Sequence, residues 1–150
     1  MKVTIVNEQT SLEVSEKLVE KQIKAILKEE KIKTDEVILH FVDEKKIKKL
    51  HLKLFNDPEE TDCITQPIDR PGNKTAGFHI LGEAFICTDL AIKNAQEFKT
   101  TPYHELALYI IHTILHLIGY DDINKEEVKV MRKKENYYLN LLKEKNIFKK

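Results

Sequence analysis

The sequence predicts a single domain of the mixed helix-and-strand class. Its 150 residues are enough to bury one hydrophobic core, and 41% hydrophobic with 33% charged residues is typical of a soluble globular protein. Four short apolar segments are typical of strands, and five segments carry apolar residues at helical spacing. Neither a repeat nor an interdomain linker divides the chain, so we expect one domain over residues 1–150.

The first part of the chain predicts two strands, at residues 3–6 and 37–42, and two helices. Thr10 and Glu13 have the spacing of a capping box for the first helix, and Asp43 is the expected N-cap of the second. The apolar residues expected on the buried sides are Leu12, Val19, Ile23, Ile26 and Leu27 in the first helix and Ile47, Leu50 and Leu54 in the second.

Prolines and glycines interrupt the helical pattern between residues 56 and 83. This composition predicts a long loop region with a short strand near residues 62–66. A last strand at residues 84–87 is expected to lead into a helix at about residues 89–98.

Two further helices are expected in the last third of the chain. The first starts after Pro102 and stops at Gly119, since proline favours the first turn of a helix and glycine a left-handed terminator. Asn124 and Glu127 have the spacing of a capping box for the second. The apolar side of this final helix carries Val128, Met131, Tyr138 and Leu142.

Composition limits the setting and the partners. Lys+Arg and Asp+Glu number 25 each, so a nucleic-acid partner would have to be bound by a local patch. The two cysteines, Cys63 and Cys87, do not form a disulfide framework, which fits a reducing cytoplasm. The N-terminus lacks a signal-peptide core, and the longest apolar stretch, residues 106–118, is too short to span a bilayer. We therefore expect a cytoplasmic protein without a membrane partner.

The most informative motif pairs His112 with His116 and places Asp122 six residues further on. A spacing of four returns both imidazoles to one face of a helix, so they can bind one metal ion while a residue beyond the helix end completes the site. A catalytic zinc typically takes three such ligands and keeps a fourth position for water. Two alternatives stay open: core histidines satisfied by hydrogen bonds, and an ordinary turn role for Asp122.

The other polar residues of this helix support a metal site. Glu105, Tyr109, His112 and His116 lie within about 60° of one another on a helical projection, and apolar residues cover most of the remaining circumference. Imidazoles in apolar surroundings cost free energy unless they are hydrogen-bonded or coordinated. A bound cation is a physical explanation for the pair.

The stretch from His112 to Asp122 resembles the signature of the YbeY-type endoribonucleases, His-Gly-x-Leu-His-Leu-x-Gly-Tyr-Asp-His. It agrees except at Thr113 and Asp122. The resemblance extends upstream and spans nearly the whole chain. The further matching residues are Thr61 and Asp62, Pro67, residues 81–87, and Glu105 with Leu106.

This resemblance implies an α+β domain with a small mixed four-stranded sheet, about five helices and a buried metal-binding helix. It also implies cleavage of single-stranded RNA in small-subunit rRNA maturation and ribosome quality control. The implied partners are single-stranded RNA, small-subunit rRNA, and the ribosome or its associated proteins. The implied metal ligands are His112, His116 and Asp122, with one Zn²⁺ as the expected ion and another divalent ion such as Ni²⁺ as the alternative.

Two departures from the family pattern bear on activity. Asp122 replaces the histidine that is the family's third ligand; zinc accepts a carboxylate, but the added negative charge makes the metal a weaker Lewis acid. Phe55 falls where the family carries an arginine, and it cannot contact phosphate. Lys53 or Arg70 would be the substitutes, although solvated surface roles stay open for both.

The expected nucleophile is a water activated by the metal. Thr113 stands where zinc peptidases carry the glutamate of His-Glu-x-x-His, which disfavours peptidase chemistry. Glu83 and Glu105 are weak candidates for proton transfer, with structural roles as the alternative. Besides the endoribonuclease hypothesis, a catalytically weak ribosome-associated binding or assembly factor and a metal-dependent hydrolase of another substrate remain open.

Overall fold

The computed structural model describes residues 1–56, 61–75 and 77–149. Its elements confirm a single α+β domain with five helices and a four-stranded mixed sheet. In chain order they are β1 (Lys2–Glu8), α1 (Glu16–Glu29), β2 (Glu36–Val42), α2 (Glu44–Phe55), β3 (Cys63–Pro67), β4 (Ile80–Cys87), α3 (Thr88–Phe98), α4 (Pro102–Leu117) and α5 (Lys125–Glu144).

The sheet has the strand order β1-β2-β4-β3. β1 and β4 both run parallel to β2, and β3 pairs antiparallel with β4 at the edge. A parallel pair needs a crossover connection, which α1 provides between β1 and β2. In register, Leu39 on the central strand β2 lies between Ile5 of β1 and Ala84 of β4.

α4 packs against one face of this sheet and forms the centre of the main core. Its side chains Ile110, Ile111 and Ile114 are at most 1% exposed. A Cβ added at Gly82 of β4 would lie 2.5 Å from the Leu117 side chain of α4 and 2.8 Å from the Gln66 carbonyl oxygen of β3. The backbone of Gln66 cannot turn aside as a side chain can, so glycine is required at this close approach. α2 covers part of the other face, over a smaller core.

The structure corrects three expectations at element ends. α1 begins after Ser15, whose hydroxyl accepts a hydrogen bond from the Leu18 N–H, and the predicted capping box of Thr10 and Glu13 is wrong. The physical reason is a local turn, in which the Gln9 side chain accepts from the Leu12 N–H and donates to the Leu12 carbonyl.

The other two corrections concern β4 and α2. β4 starts at Ile80, four residues earlier than expected, because Gly82 belongs to the strand and not to the loop before it. Leu54 was expected to be buried in α2 but is exposed. Burial falls along this helix from Ile47 through Leu50 to Leu54, so its N-terminal half is the part that covers the sheet.

The other caps follow the sequence. Asp43 caps α2, and Asn124 with Glu127 forms the capping box of α5. Parts of the expected long loop, residues 57–60 and 76, lie outside the described residues. Of the helices that the structure describes, none has the length and hydropathy to cross a bilayer.

Candidate metal centre

The two histidines lie on one side of the last turns of α4. Their Nε2 atoms are 3.0 Å apart, and their rings meet edge to face. The side chains of His112 and His116 are 22% and 18% exposed, whereas Glu105 and Tyr109 on the same stripe are buried. The polar stripe therefore opens to solvent at its C-terminal end, where the histidines are.

The chain reverses direction directly after α4. Gly119 has a φ of +114°, and its N–H donates to the His116 carbonyl while the Tyr120 N–H donates to that of Leu115. These two bonds form a Schellman motif, which favours glycine at the left-handed position. The turn carries Asp122 back to the histidines, with its Oδ2 atom 3.6 Å from Nε2 of both His112 and His116.

These three side chains fit a divalent metal ion. Their ligand atoms form a triangle with sides of 3.0, 3.6 and 3.6 Å. Ligand atoms around a tetrahedral zinc ion, with bonds near 2.0–2.1 Å, are separated by about 3.3 Å. Two imidazoles and one carboxylate also match the donor preference of zinc. The three residues can therefore hold one metal ion and leave a position open toward solvent.

One further residue supports the site and was missed in the sequence. Glu135 of α5 is 2% exposed, and its Oε2 atom lies 2.7 Å from Nδ1 of His112. A carboxylate only accepts, so this bond keeps the proton on Nδ1 and leaves the Nε2 lone pair for a metal. Glu135 lies one turn from Met131 and from Tyr138 on the apolar side of α5. A carboxylate on the apolar side of an amphipathic helix was the sequence signal that could have identified Glu135.

Glu135 is held in its charged form by two donors. Burial raises the pKa of this carboxyl, but the hydrogen bonds from His112 and Arg132 outweigh burial and leave the pKa below its ordinary value. The Arg132 Nη1 atom lies 2.5 Å from Oε1 of Glu135. A charged carboxylate behind His112 increases the basicity of the imidazole as a ligand.

Among the described residues, His116 has no carboxylate as close to its Nδ1 atom as Glu135 is to that of His112. Its Nδ1 atom is 3.8 Å from Oδ1 of Asp121, beyond hydrogen-bond distance, and the Asp121 side chain is exposed. A metal on Nε2 requires the His116 proton to lie on Nδ1, facing Asp121. The two histidines therefore differ in how firmly their tautomers are fixed.

Comparisons with known proteins assign the chain to a family. The model of the family described as endoribonuclease YbeY matches residues 4–143. The chain belongs to the YbeY endoribonuclease family. The resemblance seen in the His112–Asp122 stretch is thus confirmed, and membership of the YbeY family supports an RNA-cleaving hydrolase.

Individual relatives agree over nearly the whole chain. The endoribonuclease YbeY of Chlamydia pneumoniae is 40% identical over 149 residues, covering 97% of this chain and 94% of the relative. The YbeY of Protochlamydia amoebophila is 38% identical over 142 residues, with 95% and 93% covered. The solution structure of TM1509 from Thermotoga maritima has a TM-score of 0.63 at 28% identity, covering 91% of this chain and 86% of that protein.

The two glutamates considered for proton transfer contact other residues. Glu105 accepts a hydrogen bond from the Thr100 hydroxyl at 2.7 Å, about 10 Å along α4 from His112. Glu83 follows Gly82, whose Cβ position faces α4, so its side chain points to the opposite face of the sheet. There its Oε1 atom lies 3.2 Å from Nε2 of His40.

Phe55, at the YbeY family's arginine position, and the two possible substitutes for that arginine lie on the surface. Phe55 is exposed at the end of α2, with its ring centroid 5.0 Å from that of His51. Lys53 and Arg70 are exposed as well. The described contacts do not join any of these side chains to the three metal-ligand candidates.

The two free thiols, Cys63 and Cys87, lie outside the cluster of three possible metal ligands. Burial, with the nearby Asp62 carboxylate, raises the pKa of Cys63 well above its ordinary value. Burial also raises the pKa of Cys87 to about 11. Both cysteines are therefore mainly in the thiol form at neutral pH, which is the less reactive form.

Proposed function

We propose that this chain is a metal-dependent, single-strand-specific endoribonuclease of small-subunit rRNA maturation and ribosome quality control. Residues 1–150 would form one metallo-endoribonuclease domain, acting in the cytoplasm with rRNA and ribosomal partners. The observation that carries the proposal is the meeting of His112, His116 and Asp122 within a YbeY-family fold.

Zn²⁺ is the proposed ion, with Ni²⁺ or another divalent ion as the alternative. When bound, such an ion supplies Lewis acidity toward a phosphoryl oxygen or a water. The chain's own contribution is to orient the ligands, because Glu135 fixes the tautomer of His112 and the Schellman turn places Asp122. The anionic Asp122 lowers the net charge of the centre, so we expect slower catalysis than with a third histidine.

Arg132 is placed beside the proposed metal centre, where it could bind a phosphate of the RNA backbone. Its side chain is 59% exposed while one guanidinium nitrogen bonds Glu135. A guanidinium has five N–H donors, so donors remain for a phosphate oxygen. We infer that Arg132 contributes the phosphate contact that Phe55 cannot make.

The test of this function is cleavage of a single-stranded RNA by the purified chain, with the matching duplex as control. Cleavage of the single strand that a chelator abolishes and added Zn²⁺ restores would support the proposal, as would its loss in His116→Ala. Metal-dependent cleavage of both substrates alike would contradict single-strand specificity.

A second candidate, a ribosome-associated assembly factor with weak catalysis, is favoured by the exposed Phe55 at the family's arginine position. Co-sedimentation with small ribosomal subunits that survives removal of the metal, together with no RNA cleavage, would support this candidate. Turnover of a peptide or small ester without RNA cleavage would indicate a hydrolase of another substrate.

A further inference from the structure

A second carboxylate, largely shielded from solvent, lies behind the turn that carries Asp122. Glu30, at the C-terminal end of α1, has a side chain that is 10% exposed. It accepts hydrogen bonds from the Tyr120 hydroxyl at 2.9 Å, from the Lys134 ammonium at 2.9 Å and from the Tyr138 hydroxyl. One carboxylate thus joins α1, α5 and the turn after α4.

The donors keep Glu30 charged. Burial raises its pKa, but the hydrogen bonds from Tyr138, Lys134 and Tyr120 outweigh burial and lower the pKa below its ordinary value. The bond with Glu30 raises the pKa of Lys134 in turn. The Lys134 ammonium also lies 5.2 Å from the centroid of the Tyr120 ring, so the phenol is held by its hydroxyl and by its face.

Tyr120 is fixed at both its backbone and its side chain. Its N–H belongs to the Schellman motif of α4, and its hydroxyl is anchored on Glu30. Asp122 follows two residues later, and Asn124, the N-cap of α5, follows after another two. Asp122 therefore lies in the middle of a short connection that is fixed by hydrogen bonds at both ends.

We propose that Glu30 is a positioning residue for Asp122 and acts through Tyr120. This inference rests on the proposed metal site and deepens it. An aspartate has a short side chain, so the place of its oxygen atoms depends closely on the backbone that carries it. Metal–ligand distances tolerate only about 0.2 Å. Anchoring Tyr120 is therefore a way to keep the carboxylate within bonding distance.

Residues of α5 take part both in the contacts that hold Tyr120 and in the contact that orients His112. Lys134 and Tyr138 hold Glu30, while Glu135, between them in sequence, holds His112. A single turn of α5 thus sets the positions of the ligands on both sides of the centre.

The test compares Tyr120→Phe and Glu30→Gln with a matched pair of controls. The exposed Tyr137 hydroxyl donates to Glu29 at 2.6 Å, one residue from Glu30 and without the link to the turn. Zn²⁺ affinity is measured by competition with a chromophoric chelator. We expect Tyr120→Phe and Glu30→Gln to weaken binding about tenfold, as for other residues that support metal ligands. Tyr137→Phe and Glu29→Gln should leave the affinity unchanged.

A double-mutant cycle separates positioning from general destabilisation. If Tyr120 acts through Asp122, Tyr120→Phe should weaken Zn²⁺ binding in the wild type and have no effect in an Asp122→Ala background. Equal weakening in both backgrounds, or none in either, would overturn the inference. Tyr120→Phe alone decides the question if Glu30→Gln does not fold. Failure of the wild type to bind Zn²⁺ would instead refute the metal site on which this inference rests.

Discussion

Nδ1 of His112 lies 2.7 Å from Oε2 of the buried Glu135, so the carboxylate of one helix fixes the tautomer of a proposed metal ligand on another. We expect Glu135→Ala to reduce Zn²⁺ affinity by about 10- to 100-fold, because the His112 proton is then free to move to Nε2. Titration with a competing chelator measures the change. Glu126→Ala, at an exposed carboxylate of the same helix, is the control, and equal affinities in the two variants would refute the role of Glu135.

The proposed phosphate contact of Arg132 predicts a change in salt dependence. For single-stranded nucleic acid, each phosphate contact contributes about 0.7 to the slope of log affinity against log salt concentration. Arg132→Gln should make the slope shallower by about this amount, whereas Arg132→Lys should preserve it. Fluorescence anisotropy with labelled RNA measures the slope, after metal content is shown to be unchanged.

The neighbouring Lys133→Gln serves as the control for that measurement. It removes an exposed positive charge of the same helix without a contact to Glu135 in the described structure. If Lys133→Gln and Arg132→Gln change the slope equally, the effect is one of general charge and the specific contact is absent.

The contact between β4 and α4 predicts a stability effect at Gly82. Its substitution by alanine places a Cβ 2.5 Å from Leu117 and 2.8 Å from the Gln66 carbonyl oxygen. We expect the free energy of unfolding to fall by about 1–3 kcal/mol, as for other overpacked cores. Urea denaturation checks this, and Gly77→Ala is the control because its Cβ would meet nothing within 4 Å. Equal stabilities would show that both contacts relax without cost.

Glu30 predicts a stability change in acid. Its pKa is lower in the fold than the ordinary value of 4.5, so the ionised carboxylate stabilises the fold fully above about pH 4.5. This contribution is lost as the pH falls through the lower, folded pKa. The stability advantage of the wild type over Glu30→Gln should therefore shrink below pH 4.5, as measured by urea denaturation across pH. Glu29→Gln controls for loss of a negative charge at the same helix end, and an advantage that is constant with pH would contradict this role.

The parts of the site that the sequence predicted depend on local spacing. The polar stripe of α4, the glycine stop and the return of Asp122 involve residues close together in the chain, where helical geometry fixes their relation. Glu135 lies 23 residues from His112, and Glu30 lies 90 residues from Tyr120. Such contacts depend on how helices pack, which a single sequence does not reveal. The wrong cap at Thr10 had a local cause, since Gln9 forms a competing turn.

The metal content of the purified wild type beside Asp122→Ala and Asp122→His tests the central claim most directly. We expect about one equivalent of metal in the wild type and in Asp122→His, and a large loss in Asp122→Ala, because two imidazoles alone leave the site one ligand short. Retention of metal by Asp122→Ala as firm as that of the wild type would show that Asp122 is not a ligand and that the three-residue site is wrong.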